Sequence, residues 1–129
     1  MQTSCQIYVK GSVEAVKFYQ RAFGWTIGMN RKLPDGAWGH ASLMFGEREM
    51  LAVAEDANDT SSPDIMGNRL PIMSFNCYGL TKEAVDQAYN VLIKDARSSE
   101  NPNGPAPLPW NDYCFYLVDK YGVHWWVAI

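Results

Sequence analysis

The sequence predicts an α+β fold made of two βαβββ modules that form curved mixed sheets around a shared cleft. The main observation is an internal repeat, because Gly11–Tyr19 finds an echo in Gly79–Gln87. Each stretch follows an apolar run typical of a strand, and each precedes a pair of runs typical of a hairpin. The main rival, a ferredoxin-like sandwich, would use fewer strands per helix. The predicted single domain consists of module 1–55, linker 56–69 and module 70–129.

The first module begins with a predicted strand over Ser4–Val9, whose side chains alternate between two faces. Ser12 suits a helix N-cap, and Glu14 places a negative charge in the first turn. An apolar stripe at helical spacing then predicts a helix over Val13–Phe23, with Gly24 as its C-cap. Three further strands are predicted after this helix: Trp25–Lys32, His40–Phe45 and Glu49–Ala54.

The second module repeats this order after a polar linker. A strand is predicted over Leu70–Tyr78, and Thr81 caps a second helix with Glu83 in its first turn. The segment Ser98–Asn111 contains four prolines, so regular ladder bonds are not expected there. A lid and a plain connector both fit this loop. The final hairpin is predicted over Tyr113–Val118 and Val123–Ile129.

Composition excludes several classes of protein. The apolar fraction of 47% is enough for a compact core, and a net charge of -3 without a basic run argues against nucleic-acid binding. Three cysteines without a CxxC pair argue against a disulfide framework or a structural zinc site. Neither a secretory signal nor an apolar run long enough for a membrane span is present. A cytoplasmic location without membrane association is therefore expected.

Three groups of residues carry a family resemblance. They are the helix motif at 14–24 (EAVKFYQRAFG), the run at 40–43 (HASL) with Gly46, and Trp110 with the run at 119–125 (DKYGVHW). Together these resemble the vicinal oxygen chelate superfamily, which includes glyoxalase I, extradiol dioxygenases and bleomycin-resistance proteins. The likeness is strongest to its PhnB-like group. The resemblance implies a glyoxalase-like fold, a small-molecule ligand in the cleft and a homodimer.

The resemblance also allows a test for metal binding. Metal enzymes of the superfamily place one His or Glu ligand on each of four strands, where a divalent ion stabilises an enolate or a similar anion. The corresponding positions here supply neither His nor a carboxylate; they fall near Ser4 or Gln6, Met50 or Ala52, Ile72, and Trp126. Gln6 alone would not hold an ion. We therefore expect no metal site and no cofactor.

Candidate ligand-binding residues are the two histidines, polar residues on strands, and aromatic residues near the predicted cleft. They are Gln6, Tyr8, His40, Asn76, Trp110, Tyr113, His124 and Trp126. Each histidine fits either a ligand donor or base, or a satisfied structural hydrogen bond. Trp110, Tyr113 and Trp126 fit either a pocket wall or a dimer seam. Both alternatives stay open.

The sequence favours a protein that binds a small, partly apolar molecule without the usual metal set. One alternative is a metal-dependent lyase, isomerase or dioxygenase of the same superfamily, and another is a structural or interaction protein with a filled cleft. No Gly-x-Ser-x-Gly elbow, Gly-x-Gly-x-x-Gly motif or P-loop is present, so no catalytic residue is assigned. A methyltransferase would need a doubly wound parallel sheet, which the repeat does not predict.

Overall fold

A computed structural model describes residues 1–56 and 73–129. The chain divides into two compact units, residues 1–62 and 63–129, and the described part of each contains one sheet and one helix. The first unit consists of β1 (Gln6–Val9), α1 (Ser12–Phe23), β2 (Thr26–Lys32), β3 (Trp38–Phe45) and β4 (Arg48–Glu55). The second consists of β5 (Ser74–Cys77), α2 (Lys82–Leu92), β6 (Ser98–Ser99), β7 (Ala106–Leu108), β8 (Asn111–Val118) and β9 (His124–Ala128).

The two sheets have the same strand order, which confirms the predicted α+β fold with a repeated unit. In the first sheet the order is β1-β4-β3-β2, and β1 runs parallel to β4 while the other neighbours are antiparallel. In the second sheet the order is β5-β9-β8-β6, with β7 also paired to β8, and β5 runs parallel to β9. The pair β1 and β4 therefore corresponds to the pair β5 and β9. That the two units form a single domain stays a prediction.

Each sheet packs one face against its helix. In the first unit α1 contacts β3 and β4, and the fully buried Leu43, Leu51 and Val53 lie between them. In the second unit α2 contacts β8 and β9, where Tyr89 meets Phe115 edge to face with ring centroids 5.3 Å apart. Burial of these apolar side chains is the main stabilising term of each unit. The face of each sheet that the helix does not cover is called the helix-distal face below.

The N-terminus of α1 differs from the prediction. Ser12 is the first residue of the helix and not its N-cap, and Gly11 occupies the cap position without a side-chain hydrogen bond. Glu55, at the end of β4, caps the helix instead. Its two carboxylate oxygens accept the N–H groups of Gly11 and Ser12 at 3.3 and 3.0 Å. The Ser12 hydroxyl instead accepts the N–H of Trp38 at 2.8 Å. A distant carboxylate has replaced the local cap because β4 ends beside the start of the helix.

The other predicted caps are confirmed. Gly24 follows α1 in the left-handed conformation, with φ 70°, and donates its N–H to the carbonyl of Gln20 at 2.8 Å. Thr81 precedes α2 and accepts the N–H of Ala84 through its hydroxyl at 3.2 Å.

The proline-rich segment is more regular than the sequence predicts. Residues 98–111 were expected to lack ladder bonds, yet β6 and β7 both pair with β8. Pro107 lies between the paired residues Ala106 and Leu108 on an edge of the sheet, a place where a missing N–H leaves no partner unpaired. Whether the segment acts as a lid stays a prediction. The predicted linker beyond Asp56, and residues 70–72 of the predicted strand, lie outside the described residues.

Candidate functional site

The helix-distal face of the first sheet carries a row of aligned residues on three strands. Gln6 on β1 pairs with Ala52 on β4, and Ala52 pairs with Ser42 on β3. Side chains on alternate residues share a face, so His40, two residues before Ser42, lies on the same side. The small side chains of Ala52 and Ala54 leave room for the imidazole of His40 to reach across β4 toward β1.

His40 is the centre of a four-residue hydrogen-bonded chain. Its Nδ1 lies 2.8 Å from Oε1 of Gln6, and its Nε2 lies 3.0 Å from Oγ of Ser42. The Ser42 hydroxyl donates in turn to Oε2 of Glu49 at 2.5 Å. Ser42 is almost fully buried, whereas Gln6 is exposed and His40 and Glu49 are half-buried. The chain therefore runs from an accessible amide to a buried hydroxyl and a carboxylate.

The direction of the hydrogen bonds fixes the role of each imidazole nitrogen. Because the single hydrogen of the Ser42 hydroxyl goes to Glu49, the Ser42 oxygen can only accept from His40, and Nε2 must carry a hydrogen. In the neutral ring Nδ1 then holds the lone pair. The Gln6 oxygen that lies next to Nδ1 can accept a hydrogen bond from the protonated ring. When the ring is neutral, rotation of the amide by 180° brings its NH₂ group to this position, where it can donate to Nδ1.

Next to this chain the first unit has a groove of about 870 Å³. Glu49 belongs both to the hydrogen-bonded chain and to the groove wall. The remaining wall residues are Gln2, Thr3, Ser4, Met44, Phe45, Glu47 and Arg48. Tyr8, a predicted ligand-binding residue, is exposed on β1, two residues beyond Gln6 on the same face.

The helix-distal face of the second sheet is aromatic. Trp126 pairs with Tyr116 on β8, with ring centroids 6.2 Å apart, and Tyr78 lies on its other side at 5.9 Å. His124 lies on the same strand two residues earlier, 6.0 Å from Tyr116. Asn76 pairs with Trp126 across β5 and β9. Three predicted residues, Asn76, His124 and Trp126, therefore share one face.

The indole nitrogen of Trp126 is buried, and within residues 1–56 and 73–129 no group accepts its hydrogen. Oδ1 of Asn76, on the neighbouring strand, accepts the hydroxyl of Ser74 at 2.9 Å. An unpaired buried donor is uncommon in folded proteins and costs stability. Among the described residues, Trp126 is therefore left with an unpaired hydrogen-bond donor.

The structure does not bring Trp110, Tyr113 and Trp126 together into one wall. Tyr113 lies on the helix side of the second sheet, where its hydroxyl donates to Oδ1 of Asp86 on α2 at 2.5 Å. This hydrogen bond, with some desolvation and the negative charge of Asp86, raises the pKa of Tyr113 above its usual value of 10.0. Trp110 is exposed at the start of β8. Whether either residue contacts a ligand stays a prediction, as does a cleft between the two modules.

The cysteines offer no activated thiol among the groups described. Burial raises the pKa of the Cys77 thiol above 9.0, so it is protonated at neutral pH and a poor nucleophile. Cys114 is buried and donates weakly to the carbonyl of Ala106 at 3.7 Å.

Neither helix of the described chain is long and apolar enough to cross a membrane.

Of the four positions at which the resemblance implies metal ligands, the one near Ile72 lies outside the described residues. On β1 and β4 the paired residues are Gln6 and Ala52. On β5 and β9 the corresponding pairs are Ser74 with His124, and Asn76 with Trp126. Nowhere in the described ranges do three or more His, Cys, Asp or Glu side chains come together as ligands could. That the protein binds no divalent ion stays a prediction.

Sequence reasoning found Gln6 and His40 but missed Ser42 and Glu49. Ser42 could have been found, because alternation along β3 places it on the same face as His40. Glu49 could not, because it reaches Ser42 through a shift of register between Leu43 and Met44 that no sequence pattern indicates.

No protein-family model matches the sequence, and no curated protein does either. Solved structures match over nearly the full length. The PhnB protein of Bacillus cereus is 20% identical, with 99% of this chain and 98% of that chain covered and a TM-score of 0.76. A glyoxalase/bleomycin resistance protein/dioxygenase family enzyme of Burkholderia phytofirmans is also 20% identical. The match covers 96% of this chain and 94% of that chain, with a TM-score of 0.64.

A third structure shows the same fold with a metal. The fosfomycin resistance protein FosX of Listeria monocytogenes, determined with Mn(II) and 1S,2S-dihydroxypropylphosphonic acid, is 10% identical. The match covers 99% of this chain and 88% of the FosX chain, with a TM-score of 0.64. These likenesses establish the fold. This chain has the fold of the vicinal oxygen chelate superfamily, with a PhnB protein among the matches, as its motifs predicted.

Proposed function

We propose that this protein belongs to the PhnB-like group of the vicinal oxygen chelate superfamily and binds a small, partly apolar molecule without a divalent metal. The observation that carries the proposal is the pairing of Gln6 with Ala52, at strand positions where the superfamily's metal enzymes have ligands. An alanine offers no donor atom, and an amide oxygen alone binds a divalent ion weakly.

The polar chain in the first unit supports the same conclusion. The imidazole of His40 crosses β4 and bonds Gln6 and Ser42, so both of its nitrogens are already used within the protein. A metal ion at Nδ1 of His40 would have to displace Gln6, and within the described residues no three His, Cys, Asp or Glu side chains come together to hold it. The site is therefore built for hydrogen bonding.

The aromatic face of the second unit supports a partly apolar ligand. Tyr78, Trp126 and Tyr116 present flat rings, with Asn76 and His124 as the nearby polar groups. Apolar walls with a few polar groups are typical of small-molecule sites. The unused indole N–H of Trp126 is suited to a carbonyl or other oxygen of a ligand.

Metal analysis combined with a ligand screen tests this function. We expect purified protein, prepared without chelator and dialysed, to contain well under one equivalent of zinc, nickel, iron or manganese. A library of small aromatic and carbonyl compounds, screened by thermal shift in EDTA, is expected to give hits that retain affinity without metal. Stoichiometric metal that survives dialysis would overturn the proposal and favour a metal-dependent lyase, isomerase or dioxygenase.

Variants locate the bound molecule. Affinity for a hit is expected to fall at least about threefold in His40→Gln or His124→Gln, according to which unit's face it contacts. Lys17→Gln is the matched control, because Lys17 is exposed on α1 and its salt bridge within the described residues is to Glu14, at 3.6 Å. The absence of any hit in the screen would favour a structural role with a filled cleft.

The assembly and location that we propose follow from the sequence. A homodimer is expected from the resemblance, and light scattering that gives a monomer at micromolar concentration would contradict it. A cytoplasmic location is expected because three cysteines without a pairing pattern suit a reducing compartment. Fractionation of cells that express the tagged protein tests this location.

A further inference from the structure

We propose that Nδ1 of His40 and the amide of Gln6 form a paired acceptor and donor that binds a neutral carboxamide or lactam. The two groups lie 2.8 Å apart at the accessible end of the hydrogen-bonded chain. This inference rests on the proposed function, because it requires a ligand site without a metal.

The hydrogen bond at Nε2 determines that Nδ1 is the acceptor nitrogen of the neutral ring. Glu49 takes the hydroxyl hydrogen of Ser42, so Ser42 accepts the hydrogen on Nε2 of His40. In the neutral ring Nδ1 then holds a lone pair directed toward Gln6. Ser42 is only 2% exposed, so water cannot readily replace it in this role. Ser42 and Glu49 are positioning residues, which hold the tautomer without touching the ligand.

The donor role of Gln6 follows from the neutral ring. The structure has Oε1 of Gln6 beside Nδ1. Because a lone pair on Nδ1 requires a donor, we infer that the amide is rotated by 180° about its last bond when the ring is neutral, so that its NH₂ group faces Nδ1. Gln6 is exposed on β1, and its side chain can move aside without opening the core. A ligand that enters between the two groups meets an acceptor on His40 and a donor on Gln6.

The chemical complement of this pair is a donor and an acceptor side by side. The N–H of an amide donates to Nδ1 of His40, and its carbonyl oxygen accepts from the Gln6 NH₂ group. A carboxylate offers two acceptors, so one of its oxygens would face the lone pair of the neutral ring. The site therefore discriminates amides from carboxylates while His40 is neutral.

The experiment uses full-length protein labelled with ¹⁵N-histidine, in EDTA at about pH 8. Only two histidines are present, so His124→Gln assigns the signals of His40. We expect a hydrogen on Nε2 and none on Nδ1. The probe 2-pyrrolidinone is expected to shift the Nδ1 signal of His40 saturably, whereas N-methyl-2-pyrrolidinone and acetate, which lack the amide hydrogen, are expected not to.

Three variants separate the roles. Gln6→Leu is expected to keep the tautomer but to weaken lactam binding about fivefold or more, the effect of one lost hydrogen bond. Ser42→Ala and Glu49→Gln are expected to mix the two tautomers of His40 and to weaken binding by a similar factor. Thermal melting of each variant shows that it is folded.

Several outcomes would overturn the inference. They are a hydrogen on Nδ1 in the neutral wild-type ring, no shift of the Nδ1 signal with 2-pyrrolidinone, or equal shifts with the N-methyl compound or acetate. Metal analysis of the same sample keeps the two proposals apart. If the sample is free of metal and the tautomer differs, only the amide site fails; if it contains a stoichiometric ion, the proposed function fails first.

Discussion

Oδ2 of Asp119 accepts a hydrogen bond from the indole Nε1 of Trp125 at 2.9 Å, and both side chains are almost fully buried. Oδ1 of Asp119 also accepts the N–H groups of Tyr121 and Val123, at 2.8 and 3.0 Å. One side chain therefore closes the turn between β8 and β9 and holds Trp125 on the helix side of the sheet. Because successive strand residues point to opposite faces, this places Trp126 on the helix-distal face.

Replacement of Asp119 by Asn is expected to destabilise the protein by about 2–4 kcal/mol. The amide keeps one oxygen for the two backbone N–H groups but turns its NH₂ group toward the indole N–H of Trp125, so two donors meet. Urea denaturation gives the free energy of unfolding. Asp112→Asn is the control, since Asp112 is exposed on β8, the strand that ends just before Asp119, and a loss there of more than about 0.5 kcal/mol is not expected. Equal losses in the two variants would show that the Asp119 contacts do not stabilise the hairpin.

The adjacent tryptophans are expected to respond differently to the same change. Trp125→Phe removes buried contacts and leaves an oxygen of Asp119 without its indole partner, at a cost of about 2–4 kcal/mol. Trp126→Phe removes a donor that has no acceptor in the described part of the chain, so the cost is about 1 kcal/mol or less. Thermal melting of both variants tests the difference. A larger loss for Trp126→Phe would mean that its indole N–H has a partner.

Local signals predicted most of the fold. Gly24 and Thr81 were assigned as caps from the few residues around them, and the structure confirms both because capping hydrogen bonds join residues three or four apart. The cap of α1 failed as a prediction because Glu55 lies 43 positions from Ser12 in the sequence. Only the parallel pairing of Val9 with Glu55 brings that carboxylate to the helix.

In the candidate site too, residue type and strand position were predictable from the sequence, whereas contacts between distant residues were not. Gln6 and His40 were selected from residue type and strand position, and they form one hydrogen-bonded chain. Tyr113 was selected with the aromatic wall, but its strand turns it toward α2 and Asp86. Tyr113 shares its face of β8 with Phe115, whereas Trp126 on β9 pairs with Tyr116, which lies on the opposite face. The sequence does not specify which residues of the two strands pair, so it could not show that Tyr113 and Trp126 lie on opposite faces.

Loss of the Glu55 carboxylate is expected to destabilise α1. Glu55→Ala leaves the N–H groups of Gly11 and Ser12 without their acceptor, at a cost of about 1–2 kcal/mol. Glu55→Gln keeps an acceptor oxygen without the charge and is expected to lose about half as much. Urea denaturation measures both.

Glu14→Ala is the matched control for this cap. Glu14 lies in the first turn of α1, but it is exposed, and in the part of the chain that the structure describes its salt bridge is to Lys17, at 3.6 Å. Such a pair contributes about 0.5 kcal/mol or less. If Glu14→Ala costs as much as Glu55→Ala, general helix charge and not the specific cap stabilises the N-terminus.

The hydrogen bond from Tyr113 to Asp86 predicts a loss of stability at alkaline pH. Its raised pKa in the folded protein means that ionisation is disfavoured there, since the phenolate would lose its donor and face the Asp86 carboxylate. The stabilisation is complete below the unfolded pKa of about 10 and is lost as the pH rises through the higher folded pKa. Urea denaturation from about pH 8 to 11 should show wild type losing more stability than Tyr113→Phe. Parallel losses in the two proteins would contradict this coupling.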